Sequence, residues 1–241
     1  MHEQLWGKKD TLPDGVFRNF EFPRFKTKTK TDTDTNPPKS RKMWTAEKLA
    51  LGHIISGPKL QRLGRLPCKA NELLVREAYR EMYDVLVVDH EDRMKHVEKE
   101  SEIPRFKKFT LILGQPGIGK TWFLSYALVR RLLEGKPTIF QAANGVTDDN
   151  FDSTAATHYL IDAIGVHPMP YSPSDAVLQD PQIWVLADHH PVGAARQSDH
   201  NWLVVVTSSP RKENNHYLIK EYSPRKYYLP AWDWQEVVAA A

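Results

Sequence analysis

Eight consecutive residues, Gly114-Gln115-Pro116-Gly117-Ile118-Gly119-Lys120-Thr121, have the types and spacing needed to hold a phosphate. They fit the pattern G-x-x-x-x-G-K-[ST], in which each position has a mechanical job. Glycines let the backbone curl with its N–H groups inward and keep side chains away from the anion. Lys120 is a compact positive charge able to reach β- and γ-phosphates. Thr121 offers a hydroxyl to Mg²⁺. Trp122, directly after the loop, completes the expected nucleotide-contact set. The bland alternative is a glycine-rich turn that binds nothing.

A loop of this kind also needs an acidic residue at the end of a hydrophobic strand to hold the metal. Ile183-Trp184-Val185-Leu186-Ala187-Asp188 has that form, so Thr121 and Asp188 are the expected metal pair. His189 and His190 follow where many nucleotide hydrolases carry a glutamate that polarises the attacking water. A histidine can act as a base near neutral pH, or both can be ordinary loop residues. Turnover is therefore less secure than binding. Further on, Val206-Thr207-Ser208-Ser209-Pro210-Arg211 ends another apolar run. Ser208 is the first choice for a γ-phosphate sensor, with Thr207 or Ser209 as alternatives. Arg211 suits a phosphate partner, since a guanidinium matches that geometry, and equally suits a solvated turn. Lys120, Asp188, Ser208 and Arg211 make up the expected catalytic set.

These residues need a scaffold. Phe109-Thr110-Leu111-Ile112-Leu113 is an apolar, β-branched run that stops at the first glycine and reads as a buried strand. After Thr121, Trp122, Phe123, Tyr126, Ala127, Val129, Leu132 and Leu133 recur at helical spacing until Gly135 and Pro137 end the helix. Further strands are expected at 138–142, 183–187, 202–207 and 227–229. Residues 72–98 are expected to be a strand-like start followed by a long amphipathic helix, with further helices around Ala155–Ile164 and from Trp232 to Ala241. Leu74, Ala78, Met82, Val85, Leu86 and Met94 are the expected inner face of the first of these segments. Alternating strands and helices imply an α/β fold with a mostly parallel five-stranded sheet covered on both faces. In such sheets ligands sit at the carboxyl ends of the strands, where the loop lies.

Composition limits the remaining choices. In 241 residues there is one cysteine, Cys68, which leaves no intrachain disulfide or cysteine-based zinc site and suits the cytosol or nucleus. No apolar run approaches membrane-spanning length, and no signal peptide is visible at the N-terminus. The net charge of +3 is unevenly placed: residues 1–70 carry 15 Lys/Arg against 7 Asp/Glu, a net of +8, and the remainder is −5. Residues 1–70 also contain the Lys/Thr run 26–35, then Asn36-Pro37-Pro38 and the basic patch Lys39-Ser40-Arg41-Lys42. They read as a disordered arm preceding a domain over 71–241, with Trp44–Ile55 as a short helix or docking segment. The patch can serve nuclear import or a nucleic-acid partner, or be solvated linker. Two Ser-Pro-Arg-Lys elements, at 209–212 and 223–226, read most simply as turns leading out of strands.

Taken together, residues 72–241 resemble the P-loop NTPase module of Crinkler and retrotransposon-hot-spot-like proteins found in many fungi. The blocks that carry the resemblance are Leu74-Val75-Arg76 with Tyr79 and Tyr83, the loop Gly114–Thr121 with Leu132–Pro137, and Trp184–Asp188. Val204–Arg211, Tyr228-Leu229-Pro230 and Trp232-Asp233-Trp234-Gln235-Glu236 complete them. The resemblance implies a three-layer ATPase-type fold in which the strand ending at Ser208 lies between the loop strand and the Asp188 strand. It implies ATP and Mg²⁺ as ligands, and related ATPases that complete their sites between subunits make homo-oligomerisation an expected partner mode. ATP is favoured over GTP because no Asn-Lys-x-Asp guanine-reading motif is present. Family members continue beyond the aromatic block into a helical lid, which the domain is expected to lack. No Asp…Glu-x-Lys pattern is evident, so nuclease activity is not carried over. A non-hydrolysing nucleotide-binding or DNA- or partner-binding module is the alternative, and a small-molecule kinase is a weaker one.

Overall fold

The computed structural model describes residues 2–8, 17–23, 43–50, 72–99, 101–141, 158–169, 173–188, 191, 193–196 and 199–240. A helical turn α1 (His2–Leu5) precedes strands β1 (Phe17–Pro23), β2 (Met43–Ala50) and β3 (Glu72–Val75). These three strands form an antiparallel sheet with β2 in the centre. The segment read as a disordered arm therefore contributes two strands, and Leu5 is fully buried in the main core. Phe17, Phe20 and Phe22 within seven residues favour extended pairing, which low overall hydrophobicity of the segment conceals. Residues 43–50 are a strand where a helix or docking segment was expected. The Lys/Thr run and the basic patch at 39–42 lie outside the described residues.

The main body follows. Helix α2 (Glu77–Glu98) and the short α3 (Arg105–Lys108) lead into β4 (Phe109–Leu113). After α4 (Lys120–Leu133) come β5 (Thr138–Gln141), β6 (His158–Ile161), β7 (Val166–Pro168), α5 (Asp175–Leu178) and β8 (Trp184–Asp188). A 3₁₀ turn at Gly193–Arg196 precedes β9 (Leu203–Ser208), α6 (Lys212–Tyr222), β10 (Arg225–Tyr228) and α7 (Trp234–Ala240).

The fold is α/β, but its sheet is mixed and seven-stranded, in the order β10-β4-β9-β8-β5-β6-β7. This corrects the mostly parallel five-stranded sheet read from the sequence. Neighbours from β10 to β5 pair in parallel, while β6 and β7 continue the sheet antiparallel beyond β5. The helix expected around 155–164 is, over its described part, strand β6 and the turn after it. Asp162 Oδ1 accepts from the N–H groups of Ile164 (2.8 Å) and Gly165 (3.2 Å). Asp162 N–H in turn donates to the Gly165 carbonyl at 3.0 Å, closing a tight hairpin. That Asp-x-x-Gly signal outweighs the helical spacing of the apolar residues around it.

Period-two alternation sends successive strand residues to opposite faces. Ile112, Leu186, Leu203 and Val205 meet α1, α2 and α4 on one side. Leu111, Leu113, Val185, Val204 and Val206 meet Ala194, Ala195, Leu218 and Tyr222 on the other. The sheet is thus covered on both faces. The inner face of α2 differs in detail from the expected one. Met82 and Leu86 are buried, accompanied by Tyr79, Tyr83, Asp89 and Arg93. The polar members are paired: Asp89 takes Arg225 of β10 and the Tyr227 hydroxyl (3.3 Å). No described helix is long and apolar enough to cross a membrane.

Two histidines, the half-buried His90 and the buried His200, tie this core to pH. His90 packs edge-on to Trp184, and His200 stacks on Trp202 with ring centres 4.7 Å apart. Burial pushes both pKa values down to about 4, helped by Arg93 beside His90 and Lys108 beside His200. Unfolded imidazoles take protons near pH 6.5, so stability is complete above that pH and is lost as pH falls towards 4. By pH 5.5 the expected loss is about 1 kcal/mol for each histidine. Urea unfolding at pH 7.0 and 5.5 checks this; His200→Phe should recover part of the difference, and equal stabilities at the two pH values would exclude the effect.

Candidate functional site

Strand β4 is buried at all five positions and delivers the chain to Gly114 at the sheet's carboxyl edge. The loop then turns through two left-handed glycines, Gly117 (φ 82°) and Gly119 (φ 91°), before α4 starts at Lys120. A helix N-terminus leaves its first N–H groups without intrahelical partners, so the loop and the start of α4 form one donor-rich concavity. At Gly119 a side chain is excluded twice. Its φ is in the left-handed region, and an added Cβ would run into the Tyr79 hydroxyl, which donates to the Gly119 carbonyl at 2.9 Å. Gly119→Ala is therefore expected to lower stability by at least about 1 kcal/mol, through backbone strain plus displacement of Tyr79. Urea unfolding reads the change, and an unaltered stability would show that the loop tolerates another shape.

Lys120 arches over the loop and donates from Nζ to the carbonyls of Gly114 (2.8 Å) and Gln115 (2.9 Å). Partial burial lowers its pKa from the ordinary lysine value, and the nearby Asp188 carboxylate opposes that shift. Thr121, one residue into α4, donates from Oγ1 to Asp188 Oδ2 at 2.5 Å. The second oxygen of that carboxylate, Oδ1, accepts from Thr207 Oγ1 at 2.7 Å. Asp188 ends β8, and Thr207 lies opposite it on β9. Three separate elements thus bring Lys120, Thr121, Asp188 and Thr207 to one edge of the sheet.

The other expected residues are less centrally placed. Ser208 is buried at the end of β9, in register with Leu113 just before the loop. Arg211 is exposed and precedes α6, where its carbonyl accepts from Asn215 Nδ2 at 3.1 Å. It takes no part in the Lys120–Asp188–Thr207 cluster. Gln115, Pro116 and Gly117 are exposed along the loop, whereas Ile118 is buried under it and Trp122 packs partly against the core. His189 and His190 lie outside the described residues. Among the described residues no group of three or more His, Cys, Asp or Glu could hold a metal ion. Among the described residues, the side-chain oxygens gathered here are those of Thr121, Asp188 and Thr207.

Four residues of the site were not assigned to it from sequence. Thr207 was only an alternative to Ser208, yet it is the partner of Asp188. Arg76, Tyr79 and Trp232 each reach the loop from outside, although they entered the sequence reading only as parts of resembling blocks. The usable signal was an arginine at the end of an apolar strand, Leu73-Leu74-Val75-Arg76, where a solvated charge is out of place. Comparison with family models, curated proteins and solved structures finds no match to this chain.

Proposed function

We propose that the chain is a Mg·ATP-binding module of the P-loop, Crinkler-like kind, with slow hydrolysis. The observation that carries this reading is the carboxylate of Asp188 bonded at once to Thr121 of the loop helix and Thr207 of the adjoining strand. One acidic and one hydroxyl oxygen beside a donor-rich loop are the protein ligands that Mg²⁺ commonly accepts, with phosphate and water filling its other positions. The position of β9 between β4 and β8 supports the same reading, as does the sequence resemblance over residues 72–241.

In this reading Lys120 leaves the Gly114 and Gln115 carbonyls and follows the γ-phosphate, neutralising charge as it develops. Backbone N–H groups of residues 115–121 hold the phosphates, and Ser208 stands at the tip of the sensing strand. Thr121 and Asp188 would hold Mg²⁺, which would supply further charge neutralisation. The single cysteine suits a reducing compartment, cytosol or nucleus. A non-hydrolysing binding module is the second reading, favoured by His189 where a glutamate would polarise water. Its DNA- or partner-binding form rests on the basic excess of residues 1–70. A kinase reading needs free lid arginines, and Arg225 instead pairs with Asp89 and Asp92.

Titration calorimetry of the full chain with Mg·ATP, followed by single-turnover phosphate release, tests the proposal. Saturable binding with slow release is expected. Binding without release selects the second reading, and absence of heat with both ATP and GTP overturns the first.

A further inference from the structure

Arg76 is 2 % exposed, yet each nitrogen of its guanidinium donates a hydrogen bond. Nε donates to Glu236 Oε2 at 2.9 Å, and Nη1 donates to the Ile118 carbonyl at 2.9 Å. Nη2 donates to the carbonyls of Pro230 (3.0 Å) and Ala231 (2.9 Å). The planar group also lies 4.8 Å from the ring centre of Trp232. Trp232 in turn donates from Nε1 to the Gly117 carbonyl at 3.3 Å. Glu236 is held by more than the arginine. Its Oε2 accepts from the Asp233 N–H (3.0 Å), while Asp233 Oδ1 accepts from the Glu236 N–H (2.7 Å). That reciprocal pair is a capping box at the start of α7. The end of β3, the loop and the start of α7 are therefore one hydrogen-bonded unit.

Its effect on the loop follows from peptide geometry. In a trans peptide the carbonyl of one residue and the N–H of the next point in opposite directions. Three successive loop carbonyls are held: Gly117 by Trp232, Ile118 by Arg76, and Gly119 by Tyr79 together with the Phe123 N–H of α4 (2.8 Å). Fixing the last two turns the N–H groups of Gly119 and Lys120 to the opposite side, towards the concavity. A flexible glycine-rich loop has many shapes to lose on binding, and a loop already held in one of them loses fewer.

We infer that Arg76, Trp232 and Glu236 form a strut that presets the phosphate loop, so that residues 230–236 set nucleotide affinity without touching the nucleotide. This rests on the Mg·ATP reading above for its ligand, but not for the strut itself. Arg76 is a positioning residue in this scheme. Lysine cannot replace it, because one ammonium does not span Glu236, Ile118, Pro230 and Ala231 in a planar fork.

The test combines hydrogen-exchange mass spectrometry with Mg·ATP calorimetry on the full chain. In Arg76→Lys, amides of residues 114–122 should exchange about tenfold faster and Mg·ATP should bind about tenfold more weakly. Trp232→Phe keeps an aromatic ring beside Arg76 while losing the indole donor and part of the ring's packing area, so it guards against a misfolded Arg76 variant; about threefold changes in the same direction are expected. Amides of β9 should keep wild-type exchange in both, which a general loss of packing would not allow. Unchanged loop exchange in the folded variants overturns the strut. Faster loop exchange with wild-type affinity overturns its coupling to binding. If the wild-type chain binds no Mg·ATP, the functional reading fails separately and the inferred control of affinity falls with it, while the exchange data still decide whether the strut holds the loop.

Discussion

Lys120→Ala is expected to lower Mg·ATP affinity by at least about 100-fold while leaving thermal unfolding close to that of the wild type. The two halves of this expectation come from different observations. Lys120 is only partly buried, and its ammonium bonds to two loop carbonyls, one of them at the exposed Gln115. Water can replace such an ammonium at those carbonyls, so its removal should cost the fold about 1 kcal/mol or less. The loss to a polyphosphate is larger, because a charge-assisted contact disappears from a site that already lowers the lysine's affinity for its proton. Lys120→Arg is the informative companion. It keeps the charge, but its rigid fork does not fold over Gly114 and Gln115 as an ammonium does. Calorimetry and a thermal melt on the same preparations give both readings. Equal affinity in wild type and Lys120→Ala would remove the loop from the binding site.

Asp188→Ala should cut phosphate release at least about 100-fold and abolish the dependence of nucleotide binding on Mg²⁺. Asp188 is the shared acceptor of two hydroxyls from different elements, Thr121 and Thr207. Truncation leaves both without it, which adds a stability cost of about 1–3 kcal/mol. Asp188→Asn separates the effects. An amide keeps the size and one carbonyl oxygen, so the fold should recover, while the negative charge that attracts the cation remains absent. Titrations with ATP in excess Mg²⁺ and in excess chelator are the measurement. Wild type should show a large difference between the two conditions and both variants almost none. A retained Mg²⁺ response in Asp188→Asn would place the cation elsewhere.

The loop, its flanking strand and the Asp188 strand were legible because each is written locally. The run Phe109–Leu113, the glycine spacing and the apolar approach to Asp188 lie within short windows. Three parts of the fold were not so legible. The β6–β7 hairpin hides behind apolar spacing that suits a helix, and only the Asp162–Gly165 turn decides it. Helix α6 has a weak apolar stripe, with Leu218 and Tyr222 its buried anchors, and was not read at all. The inner face of α2 carries Asp89 and Arg93, which a hydrophobic pattern discards. Their partners Arg225 and Asn201 are more than 100 residues away. The site followed the same rule. Lys120 and Thr121 come with their own motif, whereas the roles of Thr207 and Arg76 depend on which strand lies beside which loop. No spacing within one segment states that.

The antiparallel extension beyond β5 also decides what the sheet can do at its two ends. Any open strand edge is a template on which another chain can grow. On the β7 side the final strand has three residues and finishes at Pro168, which has no N–H to offer. At the far side β10 is four residues long and carries the exposed Lys226, a charge that resists burial against an incoming strand. Among the described residues, both margins of the seven-stranded sheet are thus blunted against strand addition. The long edge strand of the chain is instead β1, seven residues at the margin of the three-stranded sheet.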